Sequence, residues 1–133
     1  MGDLFLNYKQ AIEESDMSRI SQIFQIFSTE WSTLALGRSR YYVSENELHI
    51  LLQSGTRIIF ALQDDTEMSS GAIPKNILDQ LVTLRTYISS TPTKLTDGSL
   101  TYIDARIPGK LFICSDKVIC QNNLVLIYGD TVK

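Results

Sequence analysis

The chain is short of the side chains from which most active sites are made. It holds one histidine, His49, and two cysteines, Cys114 and Cys120, among 133 residues. A Ser-His-Asp or Cys-His site needs its histidine beside a nucleophile, and the spacing around ELHILLQ offers none. Alternation in that segment reads His49 as a surface or edge residue of a strand. Gly37-Arg38-Ser39-Arg40 lacks the pattern of a phosphate loop. Asp64, Asp65 and Glu67 lack the regular oxygen spacing and sharp glycine of a calcium loop, so they read as a solvated acidic turn. Glu13, Glu14 and Asp16 read as an exposed helix surface. No catalytic residue, metal ligand or cofactor is expected, and the reading is of a protein that is not an enzyme.

Clustered positive charge is missing too. Twelve basic and 15 acidic residues give a formal charge of −3, and they are scattered, which argues against nucleic acid as a partner. No run approaches the roughly 20 apolar residues of a membrane span. The opening MGDLFLNYK lacks the charge-then-apolar order of a signal peptide, and the chain reads as soluble. What is present is apolar content, 44% of residues, enough for one domain over 1–133 with its own core.

That content is periodic. Ile20, Ile23, Phe24 and Phe27 share one face of a helix that Ser15 or Asp16 would cap, and residues 3–14 read as a further helix. From Trp31 the period becomes two: WSTLALG, SRYYVSE, ELHILLQ and TRIIFALQ read as strands of an antiparallel meander, broken at Gly37-Arg38, Glu45-Asn46 and Ser54-Gly55. Ser54-Gly55 suits a two-residue hairpin loop. Pro74 then fits the first turn of a helix, and Ile77, Leu81, Leu84 and Ile88 form its apolar stripe.

The strand period returns in SLTYIDARIPGKLFICSDKVIC. Ile103, Ala105 and Ile107 alternate with Tyr102, Asp104 and Arg106, and Pro108-Gly109 suits the centre of a type II turn that sends LFIC back antiparallel. The remaining VIC and LVLIY read as further strands. The fold class expected is α+β, an antiparallel or mixed β-sheet with amphipathic helices packed on one face. Cys114 and Cys120 flank SDK and allow a disulfide across a hairpin, two free buried thiols, or, least favoured, a metal pair.

The order of these segments resembles the extracytoplasmic β domain of the bacterial cell-division family FtsQ, called DivIB in Gram-positive bacteria. HILLQSGTRIIFAL is similar to the family's W-x-L-x-L-x-N-G-x-x-L-x-L-G hairpin. Tyr102-Ile103-Asp104-Ala105-Arg106-Ile107 is similar to its Y-V-D-L-R-Y. The likeness runs from about Ile20 to Ile113. It departs at Ile107 and Cys114, where the family favours aromatics, and in the continuation to residue 133.

The resemblance implies a non-enzymatic divisome scaffold that binds FtsB-like and FtsL-like partners by β-strand addition at its C-terminal strands. It implies the extracytoplasmic face of the bacterial membrane as the location, with a membrane anchor and POTRA module in the full-length protein that this chain does not contain. The residues it points to are Tyr102, Arg106, Ile107, Lys110, Leu111 and Phe112. Arg106 would bond a partner carboxylate, pair with Asp104, or simply solvate the outer face. The alternative from the residues themselves is a small sensor or ligand-binding domain, with a cleft between helix 74–89 and the sheet lined by His49, Arg57 and Asp64.

Overall fold

The computed structural model describes residues 3–5, 14–63 and 75–129. In chain order they form β1 (Asp3–Phe5), α1 (Glu14–Thr29), β2 (Arg38–Tyr42), β3 (Glu47–Leu51), β4 (Arg57–Ala61), α2 (Lys75–Ser90), β5 (Tyr102–Asp104), β6 (Phe112–Cys114) and α3 (Lys117–Tyr128). The strands make one sheet in sequence order. β1 runs parallel to β2 and β4 parallel to β5, while the other neighbours are antiparallel. This is the mixed α+β sheet expected. Parallel neighbours need a crossover, and α1 and α2 supply the two crossovers on either side of the central β2–β3–β4 meander.

Alternation along the strands gives the sheet two distinct faces. One carries Tyr41, Leu48, Ile50, Ile58, Phe60 and Ile103, all in the main core. Ile20, Ile23, Phe24 and Phe27 of α1 and Ile77, Leu81 and Leu84 of α2 close over it, with the Phe27 ring edge-on to Phe60 at 6.2 Å. Two buried polar groups fix the helices to the sheet. The Tyr41 hydroxyl donates to Asp16 at 2.6 Å. Gln80 pairs with both backbone groups of Ala61, accepting from its N–H and donating to its carbonyl at 2.9 Å each. Asp16 therefore lies within α1 and serves a strand instead of capping the helix.

The other face departs from expectation. Residues 117–128 are a helix, not the strands read from VIC and LVLIY, and α3 lies across the opposite side of the sheet from α1 and α2. Helices therefore cover both faces. Asp116 caps α3 by accepting from the Ile119 N–H at 3.0 Å, and Gly129 ends it in the left-handed region with its N–H on the Val125 carbonyl at 2.8 Å. Cys120 and Leu124 are its buried residues, and together with Tyr128 they form a stripe at i, i+4 and i+8.

Smaller corrections have local causes. Residues 3–5 are a strand paired with β2, not part of a helix; residues 6–13, Asp64, Asp65, Glu67 and Pro74 lie outside the described residues. WSTLALG is mostly turn, with the Leu34 N–H on the Trp31 carbonyl and one bridge, Leu36 to Leu52. Gly37 runs close beside β3, its N–H on the Leu51 carbonyl, and a Cβ there would sit only 3.0 Å from that oxygen. The β3–β4 loop holds three residues, Gln53-Ser54-Gly55, because Leu52 donates to the Thr56 carbonyl and Gly55 takes φ 98°. At Pro108-Gly109 the turn forms as read: Lys110 N–H meets the Ile107 carbonyl at 3.1 Å and Gly109 has φ 80°.

Candidate functional site

The residues singled out in the sequence lie along one end of the sheet. Tyr102 is half-buried on β5 opposite Cys114. Ile107 and Lys110 are exposed at the two ends of the turn, whose Gly109 N–H donates to Thr83 Oγ1 of α2 at 3.1 Å. Leu111 packs against the main core, and Phe112 is half-exposed on β6. Among the described residues β6 is the last strand of the sheet, and no described strand lies beyond it. Register with Asp104 and Tyr102 turns Phe112 and Cys114 toward the α3 side, while Ile113, opposite Ile103, faces the helices of the core.

Arg106 sits differently from the other five. Its Nε and Nη2 fork onto Asp104 Oδ1 and Oδ2 at 2.8 and 2.6 Å, and Nη1 reaches Glu47 Oε2 at 2.7 Å. The guanidinium is engaged inside the domain, joining β5 to β3 across 59 residues of sequence. Bidentate charge-assisted bonds of this kind are short and directional. Asp104, and to a lesser extent Glu47, hold the Arg106 charge firmly in place against the opposing effect of burial.

From Glu47 a polar row continues under α3. Glu47 Oε1 accepts from the Tyr128 hydroxyl at 2.8 Å and lies 3.0 Å from His49 Nε2. His49 Nδ1 in turn lies 3.1 Å from Arg57 Nη1, which also donates to the Tyr42 hydroxyl at 3.3 Å. A guanidinium can only donate, so Nδ1 accepts and the ring proton sits on Nε2, facing Glu47. The rings of Tyr42 and Tyr128 close over His49 at centroid distances of 4.3 and 4.5 Å.

His49 is 2% exposed and Glu47 5%. The surface or edge position read for His49 is therefore wrong. β3 is an interior strand, and the outward side of its alternation is roofed by α3. Burial pushes the Glu47 carboxyl up, but donors from His49, Arg106 and Tyr128 outweigh it and hold the group below the usual carboxylate range. Burial, reinforced by the Glu47 charge, moves the Tyr128 hydroxyl above the usual tyrosine range.

Both oxygens of Glu47 and both ring nitrogens of His49 are engaged by neighbouring side chains, which ties β3, β4 and α3 together through one row of hydrogen bonds. The cleft expected between helix 74–89 and the sheet is filled by Ile77, Leu81 and Leu84. A groove of about 330 Å³ opens elsewhere, beside Phe27, Ser28, Ser32 and Leu34–Leu36, and its lining has no titratable side chain. Cys114 and Cys120 are joined as a disulfide, with Cα atoms 5.8 Å apart. It ties β6 to the first turn of α3, not one hairpin strand to another.

Sequence reasoning did not find Glu47 and Tyr128. Glu47 and His49 stand two apart on one face of a strand, a readable sign of a shared environment. Tyr128 could be found only by reading Cys120, Leu124 and Tyr128 as one helical stripe between Asp116 and Gly129. In comparisons with protein-family models and with curated proteins, nothing matches the chain.

Proposed function

We propose that this domain is a non-enzymatic docking module of the FtsQ/DivIB type, which receives an extended segment of an FtsB-like or FtsL-like partner as a seventh strand beside β6. The observation that carries the reading is the position of β6 at the end of the sheet, with Phe112 and Ile113 both exposed. A terminal strand presents unpaired main-chain donors and acceptors; these give affinity to an added strand, and alternate side chains give specificity.

Ile107 and Lys110 border that edge on the turn, so an arriving strand would run past them. Lys110 offers a charge for a partner carboxylate. Arg106 has a different part in this reading: bound to Asp104 and Glu47, it stiffens β5 behind the edge. The disulfide supports an extracytoplasmic, oxidising location.

Calorimetry with an FtsB-type C-terminal peptide tests the proposal, with backbone NMR to locate the contact. One peptide should bind per domain and shift the amides of residues 112–114, and Phe112→Glu should weaken binding at least tenfold. An unchanged affinity in Phe112→Glu, or shifts confined to another edge, would remove β6 as the site. No binding by the parent would end the assignment to this partner class.

A further inference from the structure

We propose that the Cys114–Cys120 disulfide is a redox-sensitive clasp. Closed, it holds α3 as a strap across the polar face of the sheet; opened by a dithiol, it lets the helix pivot on Ser115-Asp116 and uncovers Glu47, His49 and Arg57. This goes beyond strand addition and does not depend on it.

The strap is attached at its two ends. At one, Cys120 in the first turn of α3 is bonded to Cys114, the last residue of β6. At the other, the Tyr128 hydroxyl donates to Glu47 and its ring stacks on Tyr42 at 5.0 Å and against His49 at 4.5 Å. Between them only Leu124 is buried. Val118, Ile119, Val125, Leu126 and Ile127 are exposed, Leu126 with 84% of its surface.

What lies beneath the strap is less apolar than what lies beneath the other two helices. α1 and α2 cover an apolar core whose exposure to water is strongly unfavourable. α3 covers a mixed surface in which Glu47, His49 and Arg57, which regain hydration when uncovered, lie beside Ile59 and the Tyr42 ring. Ser115 and Asp116 alone connect β6 to α3, and the disulfide closes a ring over that link with a sequence separation of 6. A ring so short has little influence on the rest of the unfolded chain. Its effect is to set the direction in which α3 leaves β6.

The opening reaction is thiol–disulfide exchange with a dithiol as reductant. Cys120 is fully buried and Cys114 is partly exposed, so the attacking thiolate reaches the Cys114 sulfur and expels Cys120 as a thiolate, which takes a proton. The reductant's second thiol then attacks its own sulfur in the mixed disulfide and releases Cys114, which is protonated in turn. Two electrons pass from the dithiol, which leaves as a disulfide, and the protein gains two thiols.

Hydrogen–deuterium exchange resolved by segment tests the clasp on the oxidised protein, the same protein in dithiothreitol, and the Cys114→Ser, Cys120→Ser double variant. In both opened forms the amides of residues 118–128 should exchange at least about tenfold faster, while those of α1 and α2 stay protected, the signature of local opening. Unchanged exchange in α3 would overturn the proposal. So would acceleration of α1 and α2 in step with α3, which would make the bond a general stabiliser. The His49 ring resonances provide a second readout: they should move on reduction, and if they stay fixed while α3 loosens, the polar row is not uncovered and that half of the inference fails.

Discussion

The hydroxyl of Tyr128 donates to Glu47 Oε1 at 2.8 Å across 81 residues of sequence. This bond seats the far end of α3 on β3 and brings a third donor to a carboxylate that already receives His49 and Arg106. The polar face of the sheet is organised around it.

Tyr128→Phe keeps the ring over Tyr42 and His49 and removes only the donor. Hydrogen bonds to charged groups contribute roughly 1.5–3 kcal/mol, so urea unfolding should show a loss near the lower figure. The Cys114–Cys120 bond should survive, because it closes at the opposite end of the helix.

Glu47→Ala should be the more damaging change. It leaves Arg106 with Asp104 alone and strands His49 Nε2 and the Tyr128 hydroxyl beneath α3. Breaking a buried charge pair by removing one partner costs about 3 kcal/mol or more, to be read as a lower urea midpoint at unchanged slope.

The same carboxylate sets an acid limit. Its folded pKa lies below the ordinary value of 4.5, so the native state binds fewer protons than the unfolded state at and below that pH. The stability it contributes is complete above the unfolded value and is lost as pH falls through the folded one. Thermal midpoints should therefore drop below pH 4.5 more steeply in the parent than in Glu47→Gln; parallel curves would refute the assignment.

Tyr128 sets the alkaline counterpart. Its folded pKa is raised above 10.0, so its contribution is present below that value and lost as pH rises through the folded one. The Tyr128→Phe protein should show a weaker decline in stability above pH 10 than the parent, measured by circular dichroism at graded pH.

Arg106→Glu and Phe112→Glu should separate architecture from docking. The first places a third carboxylate against Asp104 and Glu47 and should lower the thermal midpoint whether or not a partner is present. The second sits on the exposed edge and should change the unfolding free energy by no more than the spread expected of surface substitutions, about ±0.5 kcal/mol.

Much of the core face was legible because its signal is local. Ile20, Ile23, Phe24 and Phe27, like Ile77, Leu81 and Leu84, lie within a few turns of one another, and their spacing names both the helix and its buried side. The β3–β4 hairpin and the Pro108-Gly109 turn were legible for the same reason: a positive φ at glycine and a preset φ at proline act within four residues.

The Asp116–Gly129 segment was not legible in that way. VIC and LVLIY are short runs of β-branched and aliphatic residues, equally suited to strand and helix by period. WSTLALG misled similarly, since alternation says nothing about whether a neighbouring strand is there to pair with.

By itself, the sequence determined a mixed α+β domain, the apolar faces of α1 and α2, the return of the chain at Pro108-Gly109, and the scarcity of catalytic side chains. Only the tertiary structure decided that α3 roofs the second face, that His49 is buried beneath it, that Arg106 reaches Glu47, and that Cys114 bonds Cys120 from strand to helix. Apolar burial follows from a periodic pattern that each segment carries alone. The partner of a buried charge is set by which strands lie side by side and where a helix crosses them, and that exists only once the sheet is assembled.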